Sequence, residues 1–363
     1  MYCINNIQLI QFRNYLSASF QFNERIVGIC GNNGTGKTNL LDAIYYLSFT
    51  KSYLGKSEQS NIHHQLQGMR LKGGYQHPLL AETTITCIIR ENGKKEVHCN
   101  DVPYQKYSEH IGQFPAVMIA PDDTELITGS SELRRKLVDT LLCQTNSTYF
   151  THLIAYQKNL VQRNALLKQW NETKQLNQTV LDYYHEQLGI HAQIIFNIRE
   201  QFLQNWLPQV NSFYAKIAQT NELVSLHYQS HLHEKSMHQW LTFALQKDML
   251  LQRTQYGIHK DDIVCTLNNQ PFKLEASQGQ RKSLLFAFKL AEWAYLKEQK
   301  QFSPILLLDD VFEKLDEERM HNLLLWVCKE NSGQVFISDT HPERIKMHLE
   351  KLAVPVQLIE LKK

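Results

Sequence analysis

Several absences narrow this 363-residue chain before any motif is read. It has no long apolar run. Stretches such as Ile305–Leu308 fall far short of the roughly twenty residues that a membrane-crossing helix needs, so no membrane partner is expected. Its first residues, MYCINNIQLIQFRNY, lack the basic-then-apolar layout of a signal peptide, and a cytoplasmic protein is expected. The seven cysteines (Cys3, Cys30, Cys87, Cys99, Cys143, Cys265 and Cys328) are scattered and odd in number, with no Cys-x-x-Cys spacing. That argues against a zinc site and a disulfide framework, and leaves small buried apolar residues as their role. Charge of either sign is nearly balanced at +2, too mild to establish nucleic-acid binding, although one face can still be basic. There is no internal repeat and no heptad run long enough for a long coiled coil.

What is present is an interrupted α/β pattern. Strands are expected at 4–10, 17–22, 25–30, 82–89, 96–99 and 115–120, with a helix over 37–48. From about Ser131 to Arg253 the chain turns mostly helical, relieved only by a strand-like piece at 222–228. One helix there, AQIIFNIREQFLQNWL, is expected to end just before Pro208. This region carries twelve Lys/Arg against nine Asp/Glu. Strands return at 262–267, 305–310, 334–338 and 356–361, alternating with helices. The spacing predicts an α/β domain made of 1–130 and 254–363, split by a helical arm over 131–253.

The segment GNNGTGKT comprises Gly31, Asn32, Asn33, Gly34, Thr35, Gly36, Lys37 and Thr38. It fits Gly-x-x-x-x-Gly-Lys-Thr and lies between an expected strand and an expected helix. Backbone N–H groups there would cradle phosphate oxygens at a helix N-terminus. Lys37 would reach the β- and γ-phosphates, and the Thr38 hydroxyl would hold Mg²⁺. ILLLDD (305–310) is an apolar strand ending in two acids. Asp309 would bind Mg²⁺ through water, and Asp310 would polarise an attacking water. Far downstream of the P-loop, and just before that strand, SQGQ opens an apolar-periodic helix. Ser277 and Gly279 supply donors at a helix N-terminus, suited to a phosphate. The plainer reading of Ser277 is a helix cap.

P-loop, late Ser-x-Gly-Gln loop and acidic strand, in that order, resemble the ABC-type ATPases. Six segments then occur in sequence: IQLIQFRNY, GNNGTGKTNLLDAIYYLS, APDDTELITGSSELRRKLVD, GIHKDD, SQGQRKSLLFAFKLAE and LLLDDVFEKLD. Together, from residue 4 to about 341, they resemble the RecF family of bacterial recombination and gap-repair ATPases. Its fold is similar to the SMC head without the long coiled coil. The resemblance implies an ABC-type P-loop ATPase head, with a mixed central sheet, an antiparallel lobe and an inserted helical arm. It implies a weak DNA-dependent ATPase that uses ATP and Mg²⁺. ATP binding would drive a homodimer on double-stranded DNA at gaps or junctions, without regard to sequence, and slow hydrolysis would release it. RecR, with RecO, would be partners in recombinase loading, within the SOS response.

By motif, the resemblance gives Lys37 and Thr38 the Walker A role, and Asp309 and Asp310 those of Walker B and catalytic carboxylate. Ser277, Gly279 and Gln280 form the signature loop that caps the nucleotide of a second subunit. Lys282 is a basic position of the signature helix, and Asp316 belongs to a loop that crosses the dimer interface. Arg13 and Asn14 fall where SMC-like heads bring polar groups near the nucleotide. Ile258, Lys260 and Arg281 depart from the usual family residues. Asp310 stands where the wider class prefers Glu, and its shorter side chain implies slow hydrolysis. Asp339, Thr340 and His341 all remain open as the switch residue, and Gln113 lies near the expected glutamine loop.

Other features have plainer readings. His63 and His64 have no further ligand at metal spacing and suit a solvated loop. His259 suits an ordered turn. Arg134, Arg135 and Lys136 suit a solvated helix face or DNA contact. Lys51, Lys56 and Tyr53 form a second basic loop that could meet phosphate. The alternatives are a transporter ATPase subunit, another SMC-like ATPase not acting in repair, and a P-loop kinase. The first would carry a compact coupling subdomain in place of a long arm, and the kinase would lack the Ser-x-Gly-Gln loop.

Overall fold

The structure is a computed structural model of the chain, and it describes residues 2–55, 57–175, 177–219, 222–312 and 316–362. The chain runs through β1 (Cys3–Phe12), β2 (Tyr15–Gln21), β3 (Ile26–Cys30), α1 (Lys37–Phe49), β4 (Met69–His77), β5 (Ala81–Ile89), β6 (Lys95–Cys99), β7 (Val102–Pro103) and β8 (Ala116–Ile119). Next come α2 (Glu125–Thr128), α3 (Ser131–Thr145), α4 (Ser147–Thr173), α5 (Gln178–Ala218), β9 (Val224–Gln229), α6 (Met237–Phe243) and α7 (Leu245–Leu251). The last part holds β10 (Asp262–Leu267), β11 (Gln270–Pro271), α8 (Phe272–Glu275), α9 (Gln278–Lys300), β12 (Ile305–Leu308), α10 (Glu317–Leu324), β13 (Val335–Asp339), α11 (Pro342–Lys351) and β14 (Gln357–Glu360).

Two compact units result. The first comprises Met1–Asp123, Phe213–Thr220 and Gln278–Lys363, and the second Thr124–Ser212 and Asn221–Ser277. The expected domain boundaries differ from this division. Residues 254–277 group with the helical part because β10 pairs antiparallel with β9.

In the first unit, a parallel sheet of order β14-β3-β13-β12-β8 accompanies an antiparallel sheet of order β2-β1-β4-β5-β6-β7. This is the α/β architecture expected, with both strand senses present. β3, β8 and β12 are buried along their whole lengths, as strands of a covered parallel sheet must be. Helix α1 packs against both sheets, and Leu40, Leu41, Ile44 and Leu47 are fully buried in a core that draws on each. The two sheets are also tied by Gln334, whose side chain accepts from the Ile4 N–H at 2.8 Å and donates to the Ile4 carbonyl at 2.9 Å.

The second unit is built on the antiparallel pair α4 and α5. His152 on one helix faces His191 on the other, and Tyr149 faces Arg199. Contrary to expectation, α5 does not stop before Pro208 but carries it internally and runs on to Ala218. Proline removes one backbone donor. The buried residues Leu207, Val210, Tyr214 and Ile217 prolong the apolar periodicity past it, and that burial outweighs one hydrogen bond.

Guanidinium–carboxylate pairs fill this unit. Arg163 bonds Asp248 at 2.8 Å with both side chains at 0% exposure. Arg199 meets Asp139 and Asp261, each at 2.7 Å. Arg134 meets Asp262 at 2.6 Å and donates to the Leu126 carbonyl. Arg135 donates to the Asp261 carbonyl at 2.6 Å. Arg134 and Arg135, read as a solvated face or a DNA contact, are therefore internal anchors, and of the three only Lys136 is exposed. The GIHKDD segment supplies the other side of this network. His259 bridges the Tyr156 hydroxyl and the Thr254 carbonyl. Gly257 has φ +129, and a Cβ there would lie 2.7 Å from Met237.

Candidate nucleotide site

The site lies at the carboxyl ends of the parallel strands, the usual crevice of an open α/β sheet. β3 ends at Cys30, and the chain then turns through Gly31–Gly36 into α1. Gly36 caps the helix at φ 106. A Cβ there would stand 2.5 Å from Asn14 Nδ2 and 2.8 Å from the Tyr15 hydroxyl, so only glycine fits both the dihedral and the space. The first turn of α1 contains no acid, which keeps the positive end of the helix dipole available to an anion. Lys37 folds back onto the loop, and its Nζ donates to the Gly31 carbonyl at 2.8 Å and to the Asn32 carbonyl at 3.3 Å.

Two expected metal ligands meet. Thr38 Oγ1 donates to Asp309, 2.8 Å from Oδ2 and 3.1 Å from Oδ1, across 271 positions of sequence. Burial pushes the Asp309 carboxyl above its ordinary range and the neighbouring Asp310 charge adds to this, while hydrogen bonds from Ser338 and Thr38 act the other way. A hydroxyl and a buried carboxylate, with the Asp310 carboxyl next in the chain, are hard oxygen donors that fit Mg²⁺. Asp310 has left-handed backbone, φ 45.

The β1–β2 turn separates two expected nucleotide contacts. Asn14 touches the P-loop, donating to the Thr35 carbonyl at 3.2 Å. Arg13 instead pairs with buried Asp42 at 2.8 Å and donates to Asn39, Ser52 and Asn61, which fastens the turn to α1. Tyr15, not singled out from sequence, donates to the Gly36 carbonyl at 3.0 Å. Its place after Arg13 and Asn14 in the RNY turn was the available signal.

On the other flank, Asp339 is engaged by the His341 N–H at 2.6 Å and by Arg344 at 3.2 Å. Thr340 lines a groove of about 370 Å³ with Gly31, Asn32, Thr35 and Glu360, whereas His341 is exposed. Of the three open switch residues, Thr340 is the one that lines the groove beside the P-loop. Gln113 is displaced from its expected role. It precedes β8, which runs parallel to β12, so it enters the sheet at the end opposite the acids. Its side chain bonds the Glu109 carbonyl and Tyr104.

Ser277 is exposed immediately before α9, and Gly279 and Gln280 lie half-buried in that helix's first turn, with Lys282 half-buried just beyond. Asp316 caps α10 by accepting from the Arg319 N–H at 2.8 Å, and Arg319 also donates to Ser283 of α9. Residues 313–315 of the interface loop lie outside the described residues, as does Lys56. Tyr53 of the second basic loop points inward, donating to Asp123 at 2.6 Å beneath the Lys289 ammonium.

The family described as RecF/RecN/SMC N terminal domain matches residues 3–357. The DNA replication and repair protein RecF of Flavobacterium johnsoniae is 42% identical over 341 residues, covering 94% of this chain and 95% of the relative. The protein of that name from Bacteroides thetaiotaomicron is 36% identical over 349 residues, covering 96% and 94%. A solved structure of the recombination mediator protein RecF with ATP, described as part of the RecFOR pathway, superposes with TM-score 0.85 at 28% identity, covering 94% of this chain and 92% of that one. An Smc head domain from Pyrococcus furiosus gives TM-score 0.57 at 14% identity, covering 100% and 94%, a likeness of fold alone. Among the described residues, no helix is long and apolar enough to cross a membrane.

Proposed function

The chain belongs to the RecF family of DNA replication and repair proteins, and from that premise we propose that it is an ATP-driven DNA clamp whose nucleotide site works as a switch. The observation that carries this reading is the Thr38–Asp309 bond, which joins the P-loop to the acidic strand. ATP would lie on the amides from Gly34 to Thr38 at the start of α1. Lys37 would exchange the Gly31 and Asn32 carbonyls for phosphate oxygens. Thr38 and Asp309 would hold Mg²⁺, whose charge offsets that of the phosphates. Asp310 would orient and polarise the attacking water.

Ser277, Gly279 and Gln280 would then cap the γ-phosphate held by a second copy, so ATP binding and homodimerisation are one event. DNA, double-stranded with gaps or junctions, would be held through its backbone. Affinity should accordingly be independent of sequence and fall steeply with salt. Slow, DNA-stimulated hydrolysis would reopen the dimer, and RecR with RecO would use the loaded state to place recombinase. All of this would take place in the cytoplasm.

Sedimentation with ATP, ADP or no nucleotide, with and without DNA, tests the reading. Dimers should form with ATP. Lys37→Ala should lose both ATP binding and dimers. Ser277→Arg should keep ATP binding and lose dimers, and Asp310→Asn should prolong them. A Ser277→Arg protein that still dimerises with ATP would make the loop a plain helix cap.

A further inference from the structure

Ser338 belongs to none of the motifs in the sequence. It lies near the carboxyl end of β13, the strand between β3 and β12, and it is fully buried. Its hydroxyl joins both acids of the site. Ser338 Oγ donates to Asp309 Oδ1 at 2.6 Å and accepts from the Asp310 N–H at 3.0 Å. A hydroxyl has one proton to donate and lone pairs to accept with, so both bonds form at once.

Each bond has a consequence. With Oδ1 engaged by Ser338, Oδ2 is the oxygen nearer the Thr38 hydroxyl, which sets the direction in which Asp309 presents its carboxylate. The second bond falls where the β12 ladder ends. The Asp309 N–H still reaches the Ile119 carbonyl at 2.9 Å, but the next residue turns to φ 45 and leaves the strand. The Ser338 hydroxyl takes the place of the missing ladder partner and fixes the peptide from which the Asp310 side chain springs. An apolar residue at 338 would leave that N–H without this acceptor and Asp309 Oδ1 without this donor.

We propose that Ser338 is a positioning residue of the nucleotide site. It sets the orientation of the Asp309 carboxylate toward the Thr38 hydroxyl, and of the Asp310 peptide, and so tunes how tightly the site holds its divalent cation. The proposal rests on the reading of Thr38 and Asp309 as the metal pair. Outer partners of metal ligands commonly change metal affinity roughly ten- to a hundredfold when removed. The P-loop amides that would hold the phosphates do not involve Ser338, so nucleotide affinity without metal should be separable from metal affinity.

The test uses the full chain with ADP and Mn²⁺ as the probe. Electron paramagnetic resonance measures bound Mn²⁺, and a fluorescent ADP measures nucleotide binding in EDTA. Ser338→Ala should weaken Mn²⁺ binding roughly tenfold, with metal-free nucleotide affinity within about twofold of wild type. Ser338→Cys fills the site with a slightly larger side chain that hydrogen-bonds weakly, and it should behave like Ser338→Ala. In an Asp309→Asn background, Ser338→Ala should have little further effect on Mn²⁺, since both act through one carboxylate. Wild-type Mn²⁺ affinity in both serine variants would overturn the proposal while leaving the metal pair intact. Equal loss of metal-free nucleotide binding, or full additivity with Asp309→Asn, would overturn it in favour of packing alone. If wild type with ADP binds no Mn²⁺, the metal-pair reading fails, and this proposal with it.

Discussion

The two units handle polar groups in opposite ways. In the first, the groups of interest gather at strand ends beside a glycine-rich turn; the P-loop and the acidic strand are each a contiguous motif, although Thr38 meets Asp309 across 271 positions. In the second, cations lie inside and find their anions far along the chain: Arg134 meets Asp262, 128 positions away, and Arg163 meets Asp248, 85 positions away. A contiguous motif can be read from one chain because its spacing is its geometry. A buried ion pair cannot, because neither partner announces the other. Arg134 and Arg135 read as part of a solvated or DNA-facing helix face, and the arm carries an excess of Lys/Arg, yet Arg134, Arg163 and Arg199 are buried in pairs. Net charge over a segment does not report which charges reach water.

The sharpest way to break this comparison is Arg163→Met. Burial pushes the Arg163 guanidinium below its ordinary value and the Asp248 carboxyl above it, so each would be costly to keep charged without the other. Removing one partner of a buried pair typically costs about 3–5 kcal/mol. Urea denaturation should show a loss of that size. Adding Asp248→Asn, which keeps the acceptor for the Gln255 N–H, should recover most of it. If Arg163→Met costs less than about 1 kcal/mol, as a solvated pair would, the second unit is not held by its internal charges.

What the sequence made legible follows the same division. The P-loop, the acidic strand and the alternation of strands and helices were all visible, because each is a local pattern of apolar residues, glycines and acids. The pairing of Thr38 with Asp309 followed from motif chemistry. Ser338 was hidden, because a serine near a strand end has no signature until the neighbouring strand is known. Gln113 was misplaced because the direction of β8 decides which end of the sheet it reaches. Pro208 misled because a local rule was overridden by burial on both sides of it. Arg13 was read toward the nucleotide, and the partner it has here, Asp42, is a buried acid on α1 with no spacing rule to point to it.

Mild acid should separate the units next. Burial lowers His110 in the first unit, and His185 and His259 in the second, to about 4 in each case. An unfolded imidazole titrates near 6.5, so between those values the unfolded chain binds more protons and stability rises with pH. The contribution is complete above about 6.5 and is lost as pH falls toward 4. At pH 5 the deeply buried His110 and His259 each cost about 2 kcal/mol, and His185, better screened by solvent, costs less. Asp248 and Asp261, raised by the same burial, act in the opposite sense only where their own carboxyls take up protons. With two such imidazoles against one, the second unit should lose more amide-exchange protection between pH 7.5 and 5. Equal loss in both units would mean that the comparison does not extend to titration.

The smallest expected effect lies in the first unit, at Tyr15. Its hydroxyl donates to the Gly36 carbonyl, but that carbonyl also accepts from the Leu40 N–H at 2.9 Å as α1 begins. Tyr15→Phe therefore leaves the acceptor with a partner and keeps the ring beside Gly36. One neutral hydrogen bond of this kind contributes about 0.5–1.5 kcal/mol. The loss should be local: nucleotide affinity should weaken by roughly two- to tenfold, the range that energy implies, because the turn entering α1 loses one restraint. Global stability in urea should change by less than about 1 kcal/mol. The contrast with Arg163→Met is the point of the experiment. In the second unit a broken pair strands a charge in the interior, whereas in the first a broken bond only loosens a loop whose backbone is already fixed by glycine and by the helix it opens. A Tyr15→Phe protein that unfolds as readily as Arg163→Met would place the RNY turn among the supports of the fold itself, and the two units would no longer differ in how they answer the loss of one polar contact.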